Sequence, residues 1–353
     1  MRQLLCAGLL GLALGLTACG GERTISGEVV DRETGADGAV VLTIQQEDGE
    51  SVGLRIGSDT LTYTMLDEVD GAALRTGDYT GLLVSAVQGS RAEDGPDGLT
   101  VYETPRASVV GLLIPDARTL SDGTSLTERR MEFPFGIYYQ LEDGTELLND
   151  RTYYPLGQMI GDEAEMDGLS PQAAQNIRDF YDQRGPLYDT DALLEAAYEA
   201  YQAREGEPFD NGYSVEQQVW QNAASDELWF ASTTVYLPLG DGCGTEVRLG
   251  EIFDRATGEP VSLWDLFTCS SEEAPARLVT AMALDDPALE AELLAALRPE
   301  YVTCYEELLE VNYPLGTVPS MDTSFGVAVD YERLEGLLHP WAVPDPPPAP
   351  SDA

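Results

Sequence analysis

Phe253-Asp-Arg-Ala-Thr-Gly258, then Glu259-Pro260 and Val261-Ser-Leu-Trp-Asp-Leu-Phe267, read as a strand, a polar turn and an apolar return. Asp254 is placed to cap its own turn, and Gly258 can take the positive φ that other residues resist. The chain therefore reverses here. Leu263, Leu266 and Phe267 recur at spacings of three and four, so one helical turn would bury them on a single face beside Trp264. The stretch carries no nucleophile or cluster of titratable groups, and its role is to organise the fold.

Outward from this reversal, the second half mixes both periodicities. Ser170-Pro171 is a helix start, with Ser as N-cap and Pro at the first helical position. Ile177, Phe180 and Tyr181 form its apolar stripe, and Gly185-Pro186 ends it. Thr190 opens a second helix carrying Leu194, Ala197, Tyr198 and Tyr201. Val215, Val219 and the run Trp229 to Leu237 then read as strands about a turn at Asn222 to Asp226, and Cys243 to Phe253 as the next strand. Helical spacing returns at Ala274 to Ala283, Pro287 to Leu297 and near Tyr301 to Val311. Phe325, Val327 and Val329 alternate as a last strand. Helices bracketing an antiparallel sheet make residues 131–343 an α+β domain.

The same residues carry a family resemblance. A strand, an F-D-x-x-T-G turn at Phe253 to Gly258 and S-L-x-D-L-F at Ser262 to Phe267 resemble the alpha/beta domain in the extracytoplasmic part of a lysozyme-sensing anti-sigma factor. That domain, of uncharacterised function, also recurs in Gram-positive lipoproteins and beside the catalytic domain of some cell-wall deacetylases. Phe325-Gly-Val-Ala-Val-Asp-Tyr331 and His339-Pro-Trp341 resemble its closing strand and final helix, and Met166-Asp-Gly-Leu169 its entry segment. The resemblance spans roughly residues 118 to 343. It implies a ligand-sensing role and suggests lysozyme-like proteins as ligands. The matching motifs are folding elements, so no binding residue carries over.

Residues 24–115 read as a small all-β unit. Thr24 to Asp31, Val40 to Gln45, Val52 to Ile56, Tyr79 to Val87 and Ser108 to Leu113 are short strands rich in Val, Ile, Leu and Thr, several of them separated by Gly/Asp clusters. Five such strands, with Arg75-Thr-Gly-Asp78 turning into the fourth, predict an OB-like barrel, a small sandwich being the alternative. The interleaved basic and aromatic residues of a single-strand-binding barrel are missing. The unit reads as a spacer or protein-contact module. Residues 116–130 are polar, turn at Asp122-Gly123 and read as the linker to the second domain. The proline-rich end, 344–353, reads as an extended, disordered tail.

The beginning of the chain points to export. Arg2 precedes an apolar run from Leu4 to Leu16, short of the roughly 20 residues a membrane-spanning helix needs. Leu16-Thr-Ala-Cys19 matches a bacterial lipobox. The expectation is a signal peptide, 1–18, cut before Cys19, a diacylglycerol on the Cys19 thiol and a tether over 19–23. Two or three acyl chains would anchor the protein firmly, where one holds only marginally. The body would then sit on the extracytoplasmic face of the cell membrane.

Composition narrows the chemistry. The 353 residues carry 63 acids against 19 Lys plus Arg, all of them arginine, for a formal net charge of −44. Such a surface disfavours nucleic acid, whose phosphates need cations. His339 is the single histidine, read as a helix C-terminal residue before Pro340. No CxxC pair or Gly-x-Ser-x-Gly elbow occurs, so no metal site, cofactor or catalytic residue is assigned. Asp-Gly-rich loops at Asp31 to Gly38 and Asp94 to Gly98 lack EF-hand ligand spacing and read as turns. In an oxidising compartment, Cys243 with Cys269 is the first disulfide to expect, and Cys269 with Cys304 the second. Glycoside hydrolysis needs two carboxyls about 5 to 9.5 Å apart, and 63 acids offer too many pairs for spacing to select one. Asp226-Glu-Leu-Trp-Phe230 places an aromatic beside acids, but its pattern is that of a core strand.

The reading is a lipid-anchored, non-catalytic binding or sensing protein whose C-terminal domain takes a cationic extracellular protein or peptide, or another cell-wall-related ligand. The alternative is a carboxylate-based cell-wall glycan hydrolase.

Overall fold

In the computed structural model, the described residues are 23–344, apart from 36, 65, 67–68, 78, 80, 96–97, 133–134, 158–165, 167, 205–208, 210–212 and 241, and apart from the side chains of 93 and 94. Cys19, the segment before it and the tail beyond Pro344 lie outside them. The chain divides into two units between Asn149 and Asp150.

The first unit is β-rich. Its elements are β1 (Thr24–Thr34), β2 (Val40–Gln45), β3 (Ser51–Ile56), β4 (Leu61–Thr64), the short helix α1 (Ala73–Thr76), β5 (Leu82–Val87), β6 (Arg91–Asp94), β7 (Thr100–Glu103), β8 (Arg106–Thr119), β9 (Ser125–Glu132), β10 (Phe135–Gln140) and β11 (Glu146–Asp150). Strand order is β11-β10-β9-β8-β5-β1-β2-β3-β7-β6, with β4 beside β8. Leu42, Ile44, Leu54, Ile56, Val84 and Val109 alternate inward from these strands and form one core with Leu74 of α1.

Two expectations change here. The OB-like barrel is not closed by one continuous ladder: β3 pairs in parallel with β7, and the separate β4 in parallel with β8. Nor is 116–130 a linker. The Asp122-Gly123 turn is present, Gly123 having φ 94°, but β8 and β9 pair across it as an antiparallel hairpin. The reason is visible in β9, Ser-Leu-Thr-Glu-Arg-Arg-Met-Glu. Only Leu126 and Glu128 are fully buried, and Glu128 is held by Arg130 Nε at 2.5 Å, so a polar strand satisfies its partners without an apolar alternation.

The second unit is α+β. It contains α2 (Pro171–Arg184), α3 (Thr190–Ala203), β12 (Ser214–Ala224), β13 (Leu228–Gly240), β14 (Cys243–Asp254), a 3-10 turn at Leu263–Leu266, α4 (Ala274–Ala281), α5 (Pro287–Ala296), a 3-10 turn at Pro299–Tyr301, β15 (Val302–Cys304), β16 (Leu308–Tyr313), β17 (Phe325–Asp330) and 3-10 turns at Tyr331–Leu334 and Pro340–Ala342. Strands β12, β13 and β14 run antiparallel in order, and β15, β16 and β17 form a second antiparallel sheet. Trp229 and Phe230, neighbours in β13, are both fully buried because they face opposite ways. Trp229 packs with Ile177 and Tyr181 of α2, and Phe230 with Leu266, Leu278 and Val311. The central sheet is thus covered on both faces along residues 228–235, which is why that part of β13 reads as a continuous apolar run.

The reversal at 253–267 forms as its residues dictate. Asp254 Oδ1 accepts from the backbone N–H of Ala256 at 3.1 Å and of Thr257 at 2.8 Å, and from Thr257 Oγ1 at 2.8 Å. Gly258 has φ 75°. Asn176 of α2 donates to Thr257 O at 2.8 Å, docking the turn on that helix. Leu263, Leu266 and Phe267 are buried in the larger core, on a 3-10 turn. Ser170 caps α2 by accepting from Ala173 N at 3.1 Å.

Tyr301 to Val311 is not a helix. Val302–Cys304 and Leu308–Tyr313 are paired strands, and Leu309, Val311 and Tyr313 alternate into the core. Spacings of three and four occur there too, and pairing with β17 decides the state. His339 does not end a helix either. It precedes the Pro340–Ala342 turn, donates its backbone N–H to Leu266 O at 2.9 Å and stacks its ring on Trp341.

Candidate functional site

Within the second unit a cleft of about 280 Å³ opens along β14. One wall is the end of α2, with Phe180 and Arg184; the floor is β14, with Leu249, Glu251 and Phe253. The return from the Gly258 turn brings in Val261 and Leu263, and Glu300 and Val302 complete the opposite side. Gly250 makes that side possible: a Cβ there would lie 1.9 Å from Val302 O, so only glycine admits this approach of the two backbones.

Glu251 is the buried acid of the cleft. Its register places it opposite Ala231, on the same face as Phe253, so it points toward α2 among apolar neighbours. Arg184 Nη1 donates to Glu251 Oε1 at 2.6 Å and Nη2 to Thr233 Oγ1 at 2.6 Å, while Tyr181 OH donates to Glu251 Oε2 at 3.3 Å. The guanidinium lies over the rings of Phe180 and Tyr181, at 5.3 and 4.9 Å from their centroids. Side-chain exposure is 8% for Glu251 and 20% for Arg184, so the acid is sealed and the base reaches toward solvent. Burial pushes the Glu251 carboxyl above the usual carboxylate range, and Arg184 opposes that shift. Glu300 is half-exposed at the cleft's edge and 3.9 Å from Arg298.

A second polar cluster ties Asp150 to the connection between α2 and α3. Tyr188 OH is 2.8 and 2.7 Å from the two Asp150 oxygens and 2.7 Å from each of Thr152 Oγ1 and Tyr154 OH. Gln217 N donates to Thr152 Oγ1 at 2.9 Å, and Leu187 N to Gln217 Oε1 at 2.7 Å. Burial raises both the Asp150 and the Tyr188 pKa. The groups satisfy one another, so the cluster pins strands and loop.

The cysteines expected to pair do not. Cys243, Cys269 and Cys304 are all free thiols. Cys243 opens β14 at an exposed position, and Cys269 lies half-buried against the larger core. Cys304 is buried, which pushes its thiol up to about 12. Among the described residues, no three His, Cys, Asp or Glu side chains converge as a metal-holding group. Arg184 and Glu251 were not singled out from sequence. Their signal was an acid on the inward period of Leu249-x-Glu251-x-Phe253, and an arginine ending an amphipathic helix.

No protein-family model matches the chain, and no curated protein matches it. Among solved structures, a DUF3298 family protein from Pseudomonas aeruginosa PAO1 is similar at 18% identity and a TM-score of 0.32, over 67% of this chain and 94% of that one. A DUF3298 member from Bacteroides fragilis is similar at 12% identity and a TM-score of 0.30, over 65% and 93%. At this level of superposition neither carries an argument about activity.

Proposed function

We propose that the chain is a lipid-anchored, extracytoplasmic binding protein, non-catalytic, whose second unit takes a cationic protein or peptide at the β14 cleft. The observation that carries this reading is the pairing of apolar walls, Val261, Leu263 and Val302, with Glu300 at the edge. A Lys or Arg side chain has that chemistry, an apolar stem beneath a charged head. Glu251 is committed to Arg184 and closes the inner end. The net charge of −44 raises the encounter rate with cationic partners, and salt screens that field beyond about 8 Å, so selectivity must come from the cleft.

Calorimetry with lysozyme and an equally basic unrelated protein tests the site. Lysozyme binding should persist at ~0.3 M salt, roughly twice physiological strength, and Val261→Trp, which fills the cleft, should weaken it about tenfold or more. Equal weak binding of both proteins, vanishing with salt, would overturn the reading.

One observation favours a second reading. Glu251, with its pKa raised by burial, and the half-exposed Glu300 line one cleft, as an acid and a base of a glycan hydrolase do. Turnover of peptidoglycan that disappears in Glu251→Gln would establish it over the first.

The anchor on Cys19 rests on the lipobox; among the described residues no helix is long and apolar enough to cross a membrane. Metabolic labelling with an acyl probe should mark the wild type and leave Cys19→Ala unlabelled and in the soluble fraction. Labelling of the variant removes the anchor from the account. For the first unit we infer a spacer or protein-contact role on an OB-like arrangement, supported by short antiparallel strands wrapped on one apolar core.

A further inference from the structure

The face of the β12–β14 sheet opposite Glu251 carries a different chemistry. Glu216, Gln218 and Trp220 alternate along β12, facing Tyr236, Thr234 and Ser232 of β13, and Tyr236 in turn faces Glu246 of β14. Trp220 is 56% exposed and Tyr236 42%, among the largest exposed apolar groups of the unit. The indole is held in place: Trp220 Nε1 donates to Gln218 Oε1 at 3.2 Å, and Gln218 Nε2 donates to Glu216. Such a ring loses little freedom on binding.

The charges on this face are nearly balanced, unlike the rest of the chain. Glu216 lies 3.9 Å from Arg151, and Arg248 reaches both Glu246 at 2.6 Å and Glu310 at 3.6 Å and donates to Tyr305 OH at 3.0 Å. Three carboxylates thus share two arginines, against 63 acids and 19 cations overall. A cationic partner finds these carboxylates already paired. A neutral ligand rich in hydroxyls finds two aromatic faces, and acceptors and donors already oriented by their ion pairs.

We propose that this face binds an uncharged oligosaccharide, its sugar rings stacking on Trp220 and Tyr236 and its hydroxyls bonding to Gln218, Glu216 and Glu246. Tyr236 sits four residues along β13 from the position facing Trp220, about 14 Å at ~3.4 Å per residue. An occupant touching both rings is therefore a chain and not a monosaccharide. A peptide that adds as a strand would need a sheet edge, and this is a sheet face.

The site stands apart from the cleft, so its test leaves the earlier reading untouched. The full chain would be titrated, by calorimetry and tryptophan fluorescence, with soluble oligomers of N-acetylglucosamine and of β- and α-linked glucose. Saturable binding to at least one oligomer is expected, little changed by salt and much weaker for the corresponding monomer. Trp220→Ala should weaken it about tenfold or more, and Tyr236→Ala several-fold. Both side chains are exposed, so circular dichroism of the variants should match the wild type. No binding to any oligomer, undiminished binding by Trp220→Ala, or binding that salt abolishes would each overturn the proposal.

Discussion

Gly258→Ala is expected to destabilise the second unit by about 3–4 kcal/mol, a fall in Tm of roughly 10 °C for a unit of this size. Two costs combine. At φ 75° an alanine costs about 1–2 kcal/mol against glycine. In addition, the new Cβ would lie 2.3 Å from Ala173 O, a backbone atom in the first turn of α2, so turn and helix must part. Parting them strains the Asn176 to Thr257 hydrogen bond, worth about 1 kcal/mol. Gly336 separates the terms: it has the same φ of 75°, but its Cβ would meet nothing within 4 Å. Gly336→Ala should therefore show the conformational cost alone, about 1–2 kcal/mol. Equal losses for the two variants in thermal or urea unfolding would mean that the turn does not dock on α2.

The second large effect belongs to the pair in the cleft. Arg184→Met leaves Glu251 buried without its cation, which should cost about 3–5 kcal/mol at neutral pH. Glu251→Leu should cost less, because Arg184 is 20% exposed and can turn its charge to water. The double variant should recover most of the loss, since two apolar groups in this apolar setting carry no desolvation penalty. The pH dependence follows from the direction of the Glu251 shift. Its folded pKa already stands above the unfolded value, through burial, and removing Arg184 raises it further. The folded state of the variant then holds the proton more tightly than the unfolded chain. Its relative stability is best below the unfolded carboxyl value of ~4.3 and falls as pH rises through the folded one. The deficit of Arg184→Met against wild type should be small near pH ~4 and grow as pH rises toward neutrality. A deficit independent of pH, or a double variant no better than Arg184→Met, would show that the ion pair is not what the cleft depends on.

Some features of this chain are local and were legible without coordinates. Asp254, Thr257 and Gly258 make their turn from their own side chains and backbone freedom, and Ser170-Pro171 starts α2 for the same kind of reason: each motif finds its hydrogen-bond partners within a few residues. Strands β1 to β3 and β12 to β14 announced themselves by β-branched runs between turn residues. Where partners are remote, local reading failed. The 116–130 stretch is polar, yet it is a hairpin because β8 and β9 satisfy each other's backbone, while Arg130 and Glu128 pair along β9. The 301–311 stretch fits either period, and only the ladder between β16 and β17 makes it a strand. Cys243 and Cys269 flank one strand-turn-helix unit in sequence, yet they are separate thiols, one exposed and one half-buried. The two candidate sites were likewise beyond sequence alone. Glu251 became a buried acid, and Trp220 and Tyr236 one platform, only when β-pairing brought residues far apart in the chain to one face. That register is set by which faces the whole unit can bury, and no local window contains it.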